Sequence, residues 1–496
     1  MSVLGSIKKL AGQTIWYGLP TITARFLGFI LQLFFTSIFS PDEFGVITQV
    51  YAAIPFLNIL FTYGLETSYF RFVQLTDKTK LYNTLCISLF VSTTVLTVLI
   101  IAGARPLADF LEISGREDYV VYMAWIIFFD TLATLPFARL RQEGRPRKYA
   151  LVKVLTIITQ ILFTIFFLII CPKFAGNPLF SWYNASFGVG YILIANMLGS
   201  FFALVFLYRE VTAFRWLFDK QLWNDVMRYS MPLVIVGFGG MINEMLSRLV
   251  YTKVSTLPAE EKLTELGIFG ANYKLAMLIT IFIQAFRMGA EPFFFNQSKN
   301  EDSRFTYARV MKFFTIASGA VFLVVALFLD VWKVLITRKD PVYAEGLNIV
   351  PILTMGTVFL GIYYNLSIWY KLTNRNMTGA YITLAGAAIT ILLNIWWIPY
   401  FGYTGSAWAT FICYAFMMMV SYLLGQKYYP VPYDAKRVLF FLLLASGIYI
   451  VHHYIRSLQP GIWTVHACGL VGLGIYMAVT GWMERGDFRR LLLRKP

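Results

Sequence analysis

The residues of this chain that could do chemistry are charges set inside long apolar runs. Arg25, Asp130, Glu244, Arg248, Lys274, Arg287 and Glu291 all fall in or at the ends of such runs. A charged side chain at the centre of a membrane helix costs about 3 kcal/mol on insertion scales, so such residues face protein or a water-filled path. The chemistry they offer is recognition of a charged solute and exchange of an ion. Well inside the runs the cations are Arg25, Arg248 and Lys274, with Arg287 nearer an end; the clear anions are Asp130 and Glu244. A cationic excess suits an anionic solute such as a diphosphate, because guanidinium and ammonium groups can replace part of its hydration. Asp130 and Glu244 are the carboxylates available to take up and release a proton or sodium ion. Glu244 and Arg248 are four residues apart, a spacing that permits an ion pair on one helical face. Arg25 with Asp130 is a second candidate pair. Glu66, Arg287 and Glu291 lie close enough to a span end to snorkel.

The elements that must position these residues are helices of membrane length. The chain has 496 residues, is 58% hydrophobic and only 14% charged, and has a mean hydropathy of +0.64. A soluble protein is about 25% charged, so an all-α polytopic membrane protein is expected. Roughly 20 residues cross the hydrocarbon core. Fourteen spans result: 14–37, 46–69, 82–104, 118–138, 150–171, 188–208, 229–250, 267–290, 307–330, 348–370, 378–398, 404–425, 437–455 and 462–482. Pro20 and Pro232 suggest that spans 1 and 7 are interrupted, as helices lining a cavity can be. The first span follows Lys8 and Lys9 with no cleavage site, and reads as retained.

Charge sets the orientation and disposes of other classes. Of the 42 Lys and Arg residues, 29 lie in the N-terminus, the even-numbered connections and the C-terminal tail, against nine in the odd-numbered connections. The positive-inside rule then places both termini in the cytoplasm. The net charge of +16 is thereby topology and contact with anionic lipid, with no call on nucleic acid. The basic loop with Arg141 and Arg145 could also attract an anionic headgroup to the cytoplasmic mouth. Cys86, Cys171, Cys413 and Cys468 form no CxxC, and three histidines stand without an acidic cluster, so neither disulfides, a metal nor another cofactor is expected. The odd-numbered connections are short and hold no clustered carboxylates or histidine pair, so the chain is not expected to be an enzyme.

The chain also repeats itself. Tyr17 and Pro20 answer Tyr229 and Pro232; Phe44-Gly45-Val46 answers Leu266-Gly267-Ile268; Gly64 and Glu66 answer Gly289 and Glu291. Arg141 and Arg145 answer Lys371 and Arg375, and Phe187-Gly188 with Ala195 answers Phe401-Gly402 with Ala409. Five ordered matches argue for an internal duplication. An even number of spans per copy gives both copies the same orientation, related by an axis along the membrane normal. The expected organisation is residues 1–208 and 209–430 as two six-helix lobes, with 431–496 as two further helices and a basic tail.

The opening LAGQTIWYGLP, FFTSIFSPDEFGV and TYGLETSYFRF, together with NYKLAMLITIFIQAFRMGAEPFFF, resembles bacterial oligosaccharide (O-antigen, polysaccharide) flippases of the multidrug/oligosaccharidyl-lipid/polysaccharide exporter superfamily. The resemblance covers nearly the whole chain, and the family shares the count of fourteen spans. It implies a V-shaped pair of six-helix lobes in the bacterial inner membrane. It implies flipping of a polyprenyl-diphosphate-linked glycan from cytoplasmic to periplasmic leaflet by alternating access, for surface polysaccharide such as lipopolysaccharide. A proton or sodium gradient as driver, and a polysaccharide polymerase or ligase as partner, go with that implication. Cationic cavity residues on spans 1, 7 and 8 carry over as Arg25, Arg248 and Lys274. A peptidoglycan lipid-precursor flippase shares this logic. A multidrug/cation antiporter of the same superfamily has twelve spans and would want an acidic cavity.

Overall fold

The computed structural model describes residues 22–486 except 24, 175, 299–301 and 459–460, and only the backbone of 291, 292, 295 and 296. Among the described residues all regular structure is helical. Among the described residues eleven helices are long and apolar enough to cross a membrane. Three further features complete the fourteen expected segments. The helix Asn376–Tyr428 is kinked at Gly402 (φ 54°, ψ −141°) and holds spans 11 and 12. Pro178–Phe187 and Gly190–Phe206 form a pair bent by 112°, which holds span 6. Of span 1 the helix Arg25–Thr36 is described; Tyr17 and Pro20 lie outside the described residues. The chain is an all-α multi-pass membrane protein.

Local chemistry explains where the helices start and stop. Pro41–Thr62 begins with a capping box, in which the Glu43 carboxylate accepts from the Ser40 amide at 3.1 Å, and with Pro41 in its first turn. It stops at Tyr63 and Gly64, both left-handed (φ 30° and 73°), and resumes as Leu65–Phe72, so span 2 is broken two-thirds of the way along. Glu117–Gln142 ends at Glu143 and Gly144 (φ 67°), and Pro146 opens the next helix, Pro146–Ile165. A π-turn, Phe166–Ile170, follows it.

Span 7 differs from expectation. It is one helix, Lys220–Val254, uninterrupted at Pro232, and it starts nine residues before the apolar run. Asp219 caps it by accepting from the Leu222 amide at 2.9 Å. That polar first stretch carries no hydropathy signal, which is why the sequence places it in a connection. A proline is held within a span where neighbouring groups satisfy the freed backbone.

The residues divide into two compact units, 1–270 with 390–402, and 271–389 with 403–496. In unit 1, Glu117–Gln142, Pro146–Ile165 and Gly190–Phe206 pack together, and Pro41–Thr62 lies against both Glu117–Gln142 and Lys220–Val254. Tyr69, Leu85, Leu135 and Val226 form one of its cores. Gly45 and Gly267 sit at a crossing so close that a methyl on Gly45 would overlap the Leu263 carbonyl and one on Gly267 the Pro41 carbonyl. In unit 2, Ser303–Leu327 packs on Ile349–Leu366 and Ala435–Ser457, and the last two spans pack on each other. Its core includes Phe314, Phe322, Val358, Phe441 and Tyr476. An ion triad reinforces it: Glu484, 2% exposed, meets Lys312 at 2.5 Å and Arg437 at 2.9 Å.

Positions matched by the repeat share backbone geometry. Gly144 and Asn374 are both left-handed (φ 67° and 56°), and the next amide bonds back five residues in each case, Arg145 to Leu140 and Arg375 to Tyr370. Gly188 (φ 48°, ψ −111°) and Gly402 (φ 54°, ψ −141°) kink the chain before spans 6 and 12 alike. Gly64 and Gly289 do not agree, since Ala259–Gln297 runs straight through Gly289 as helix.

Candidate functional site

Unit 1 contains a polar cavity of about 380 Å³ among spans 2, 4, 5 and 6. Spans 2, 4 and 5 each deliver one or two of its charges or amides, and span 6 contributes Ala203. Asp130 comes from the middle of Glu117–Gln142 and Arg141 from its last turn; Asn58 comes from Pro41–Thr62. Glu66 stands in the first turn of Leu65–Phe72, where the break at Gly64 has turned the chain and where the helix dipole favours an anion. Lys153 is two turns into the helix that Pro146 starts. Two acids and two bases therefore line the space.

They are held in order. Glu66 and Arg141 are joined at 2.5 Å, and the Arg141 guanidinium lies 4.8 Å above the Phe70 ring. The Lys153 ammonium sits 4.1 Å over the Phe137 ring. Asp130 is exposed to the cavity, within reach of the Ser200 hydroxyl and in the field of Lys153. Nearby, Asn196 donates to the Tyr51 hydroxyl at 3.0 Å.

Other expected site residues lie elsewhere. Arg25, exposed, Glu244, exposed, and Arg248, 5% exposed, belong to unit 1, and half-buried Lys274 belongs to unit 2. Glu244 and Arg248 share a helix but not an environment: Arg248 donates from Nη1 to the Met245 sulfur at 2.8 Å. Asn243, one residue before Glu244, accepts from the Thr390 hydroxyl at 3.2 Å. Arg145 pairs with Glu143 at 3.2 Å and with Glu210 at 2.9 Å, and Lys148 also reaches Glu210, at 2.6 Å. Outside the spans, Glu143 is pushed up by partial burial, but hydrogen bonds from Arg139 and Arg145 outweigh this and hold it below the usual carboxylate range. In unit 2, Arg287 stacks 4.6 Å over Tyr364, and with Lys371 and Asn365 it borders a much smaller cavity of about 20 Å³.

Lys153 and Asn58 were not singled out by the sequence, and Glu66 was read as snorkelling. Lys153 falls at the fourth position of the span expected at 150–171, just after the loop bases Arg147 and Lys148. Pro146, a first-turn residue, is the signal that starts the helix a turn earlier and puts Lys153 two turns inside it.

The architecture around this cavity is all-helical, with helices of membrane length. Residues 10–298 match the family model of polysaccharide biosynthesis proteins, more than half of the chain, and the chain belongs to that family. Residues 262–396 also match the MatE model. Among solved structures, the chain is similar to the lipid II flippase MurJ in an inward closed conformation. That match has 14% identity and a TM-score of 0.70, and it covers 96% of this chain and 100% of the other. It is similar to an inward-facing multidrug resistance MATE family transporter of the MOP superfamily at 14% identity and a TM-score of 0.65, over 84% and 97%. A mutant of the Vibrio cholerae MATE transporter VcmN gives 13% identity and a TM-score of 0.54, over 85% and 98%. No curated protein matches the chain.

Proposed function

We propose that this chain flips a polyprenyl-diphosphate-linked oligosaccharide from the cytoplasmic to the periplasmic leaflet of a bacterial inner membrane by alternating access, for surface polysaccharide synthesis. The observation that carries this reading is the extent of the structural likeness. A lipid-linked-substrate flippase aligns over 96% of the chain, its last two spans included, whereas the MATE transporter aligns over 84%. The polysaccharide biosynthesis family match supports the same substrate class. The likeness to a lipid II flippase also favours, as second reading, a peptidoglycan lipid precursor.

In this reading residues 1–208 and 209–430 are the two lobes, 431–496 carries the extra helices, and both termini are cytoplasmic. Arg25, Arg248 and Lys274 grip the diphosphate, since arginine offers a planar fork to phosphate oxygens and lysine a point charge. Arg141 and Arg145 draw the headgroup to the cytoplasmic mouth, and Asp130 and Glu244 exchange the driving ion. A polymerase or ligase receives the product.

Complementation of a strain lacking its own flippase tests this, scored by surface glycan with protein level measured alongside. Arg25→Ala and Lys274→Ala should abolish export at normal abundance, and lysine at position 25 should restore more than glutamine. Normal export by both alanine variants would end the cationic grip. Rescue of a strain lacking its lipid II flippase instead would select the second substrate.

A further inference from the structure

The unit 1 cavity is charge-balanced by its own side chains. Its lining holds Glu66 and Asp130 against Arg141 and Lys153. Glu66 and Arg141 are already joined at 2.5 Å. That leaves Asp130 and Lys153 as the second couple, on adjacent helices and facing one space. We propose that Lys153 is a tethered counter-cation for Asp130, and that the cavity therefore exchanges a proton at Asp130 in preference to a metal ion. This rests on the reading that Asp130 is an ion-coupling group, and it names the ion and the residue that selects it.

The argument is one of charge and of ligands. A sodium ion at Asp130 would share the cavity with the Lys153 ammonium, and the two cations repel. Lys153 cannot easily withdraw, because its ammonium is held over the Phe137 ring at 4.1 Å. A proton adds the same unit of charge and works against the same field, but unlike a metal ion it needs no room beside the ammonium. It forms an O–H bond on the Asp130 carboxylate, taken from hydronium with release of water, needs no shell of oxygen ligands, and leaves Lys153 as the ammonium. The reverse step returns the proton to water. The cavity's charge then changes by one unit with each proton.

The groups that face Asp130 from each packed helix set this behaviour. Tyr51 and Asn58 come from span 2, with Glu66 beyond the break; Tyr149 and Lys153 come from span 5; Asn196 and Ser200 come from span 6; Arg141 is on its own helix. Of these cations, Arg141 is paired with Glu66, and Lys153 stands first in the field of Asp130 and then in that of Glu66.

The test uses purified full-length protein with no glycan present. Thermal unfolding is followed from pH 5 to 9, and in sodium chloride replaced stepwise by choline chloride at constant ionic strength. Wild type should shift its midpoint with pH and not with sodium. Asp130→Asn should lose part of the pH response. Lys153→Met should gain a saturable sodium-dependent rise in midpoint, and Lys153→Arg should behave as wild type. If Lys153→Met does not fold, the double change Asp130→Asn with Lys153→Met should restore folding, since it removes both charges together. A saturable sodium-specific rise in wild type that is lost in Asp130→Asn overturns the proposal, as does a Lys153→Met variant with the wild-type pH and sodium responses. Because no substrate is used, an error in the proposed glycan leaves this result untouched, and loss of export in cells does not decide it.

Discussion

Positions 141–145 and 371–375 occupy matched places in the repeat, and they use one backbone device for different chemistry. Each ends a helix with a left-handed residue, Gly144 or Asn374, and a return bond five residues back. Around the first, Arg141 closes onto Glu66 beside a cavity of about 380 Å³ that also holds Asp130 and Lys153. Around the second, Lys371 and Arg287 border a space of about 20 Å³, room for about one water. A broken helix accounts for part of this difference. Span 2 stops at Gly64 and turns Glu66 into the cavity, whereas span 8 passes Gly289 as helix. Turns and crossings are therefore kept in common, and the chemistry diverges where one helix breaks.

The largest expected effect tests what is common. At Gly45 and Gly267 an added methyl would meet backbone carbonyls, which cannot move aside. Gly45→Ala and Gly267→Ala should each cost about 3 kcal/mol or more, at or beyond the upper end of overpacking penalties, and sharply reduce folded protein in the membrane. Gly289→Ala meets nothing within 4 Å and should stabilise by up to about 1 kcal/mol as a helical alanine. Fluorescence-detected size exclusion with a heating step measures all three. Tolerance at Gly267 would mean that the crossing is looser than described.

Next in size is the ion triad of unit 2. Glu484 is 2% exposed and holds two cations. Glu484→Gln leaves Lys312, itself 10% exposed, without a full charge opposite it, and should destabilise by about 3–5 kcal/mol, the range for breaking a buried pair. The Glu66–Arg141 pair of unit 1 is 44% and 42% exposed. Glu66→Gln should cost at most about 1 kcal/mol, as exposed pairs do. Melting temperatures of the two variants give the comparison, and equal losses would contradict the assigned burial.

The spans were legible in the sequence because hydropathy over some 20 residues is a property of the run, insensitive to packing. The repeat was legible because glycines such as Gly188 and Gly402 are set by backbone conformation, and that leaves a mark at one position. Lys153 was not legible. A span starting at 150 leaves Lys153 near its end, and only the earlier start at Pro146 carries it two turns inward. The continuity of span 7 was missed for a related reason, since Pro232 is a breaker only if its surroundings fail to satisfy the backbone. The pairing of Glu66 with Arg141 joins residues 75 apart, and no local pattern encodes it.

The smallest effect sharpens the comparison of the two turns. Glu143 follows Arg141 by two residues; the matched position after Lys371 is Thr373, whose hydroxyl donates to the Trp369 carbonyl at 2.9 Å. Partial burial pushes Glu143 up, but the Arg139 and Arg145 hydrogen bonds outweigh it, so the folded value lies below the usual 4.5. A depressed carboxylate contributes stability that is fully present above its unfolded value and is lost as pH falls through the folded one. The pair with Arg139, at 2.6 Å, is about one-third exposed on each side, so the contribution should stay below about 1 kcal/mol. Glu143→Gln should therefore melt slightly below wild type at pH 7, and the two should converge as pH drops below 4.5. Thr373→Val in the other turn should show a difference from wild type that does not change with acid. Hydrogen exchange of the amides of residues 143–146 and 373–376, compared between pH 7 and pH 4 after correction for intrinsic rates, reads both turns in one experiment. An acid-sensitive opening at 373–376 equal to that at 143–146 would show that the two turns differ in sequence without differing in electrostatics.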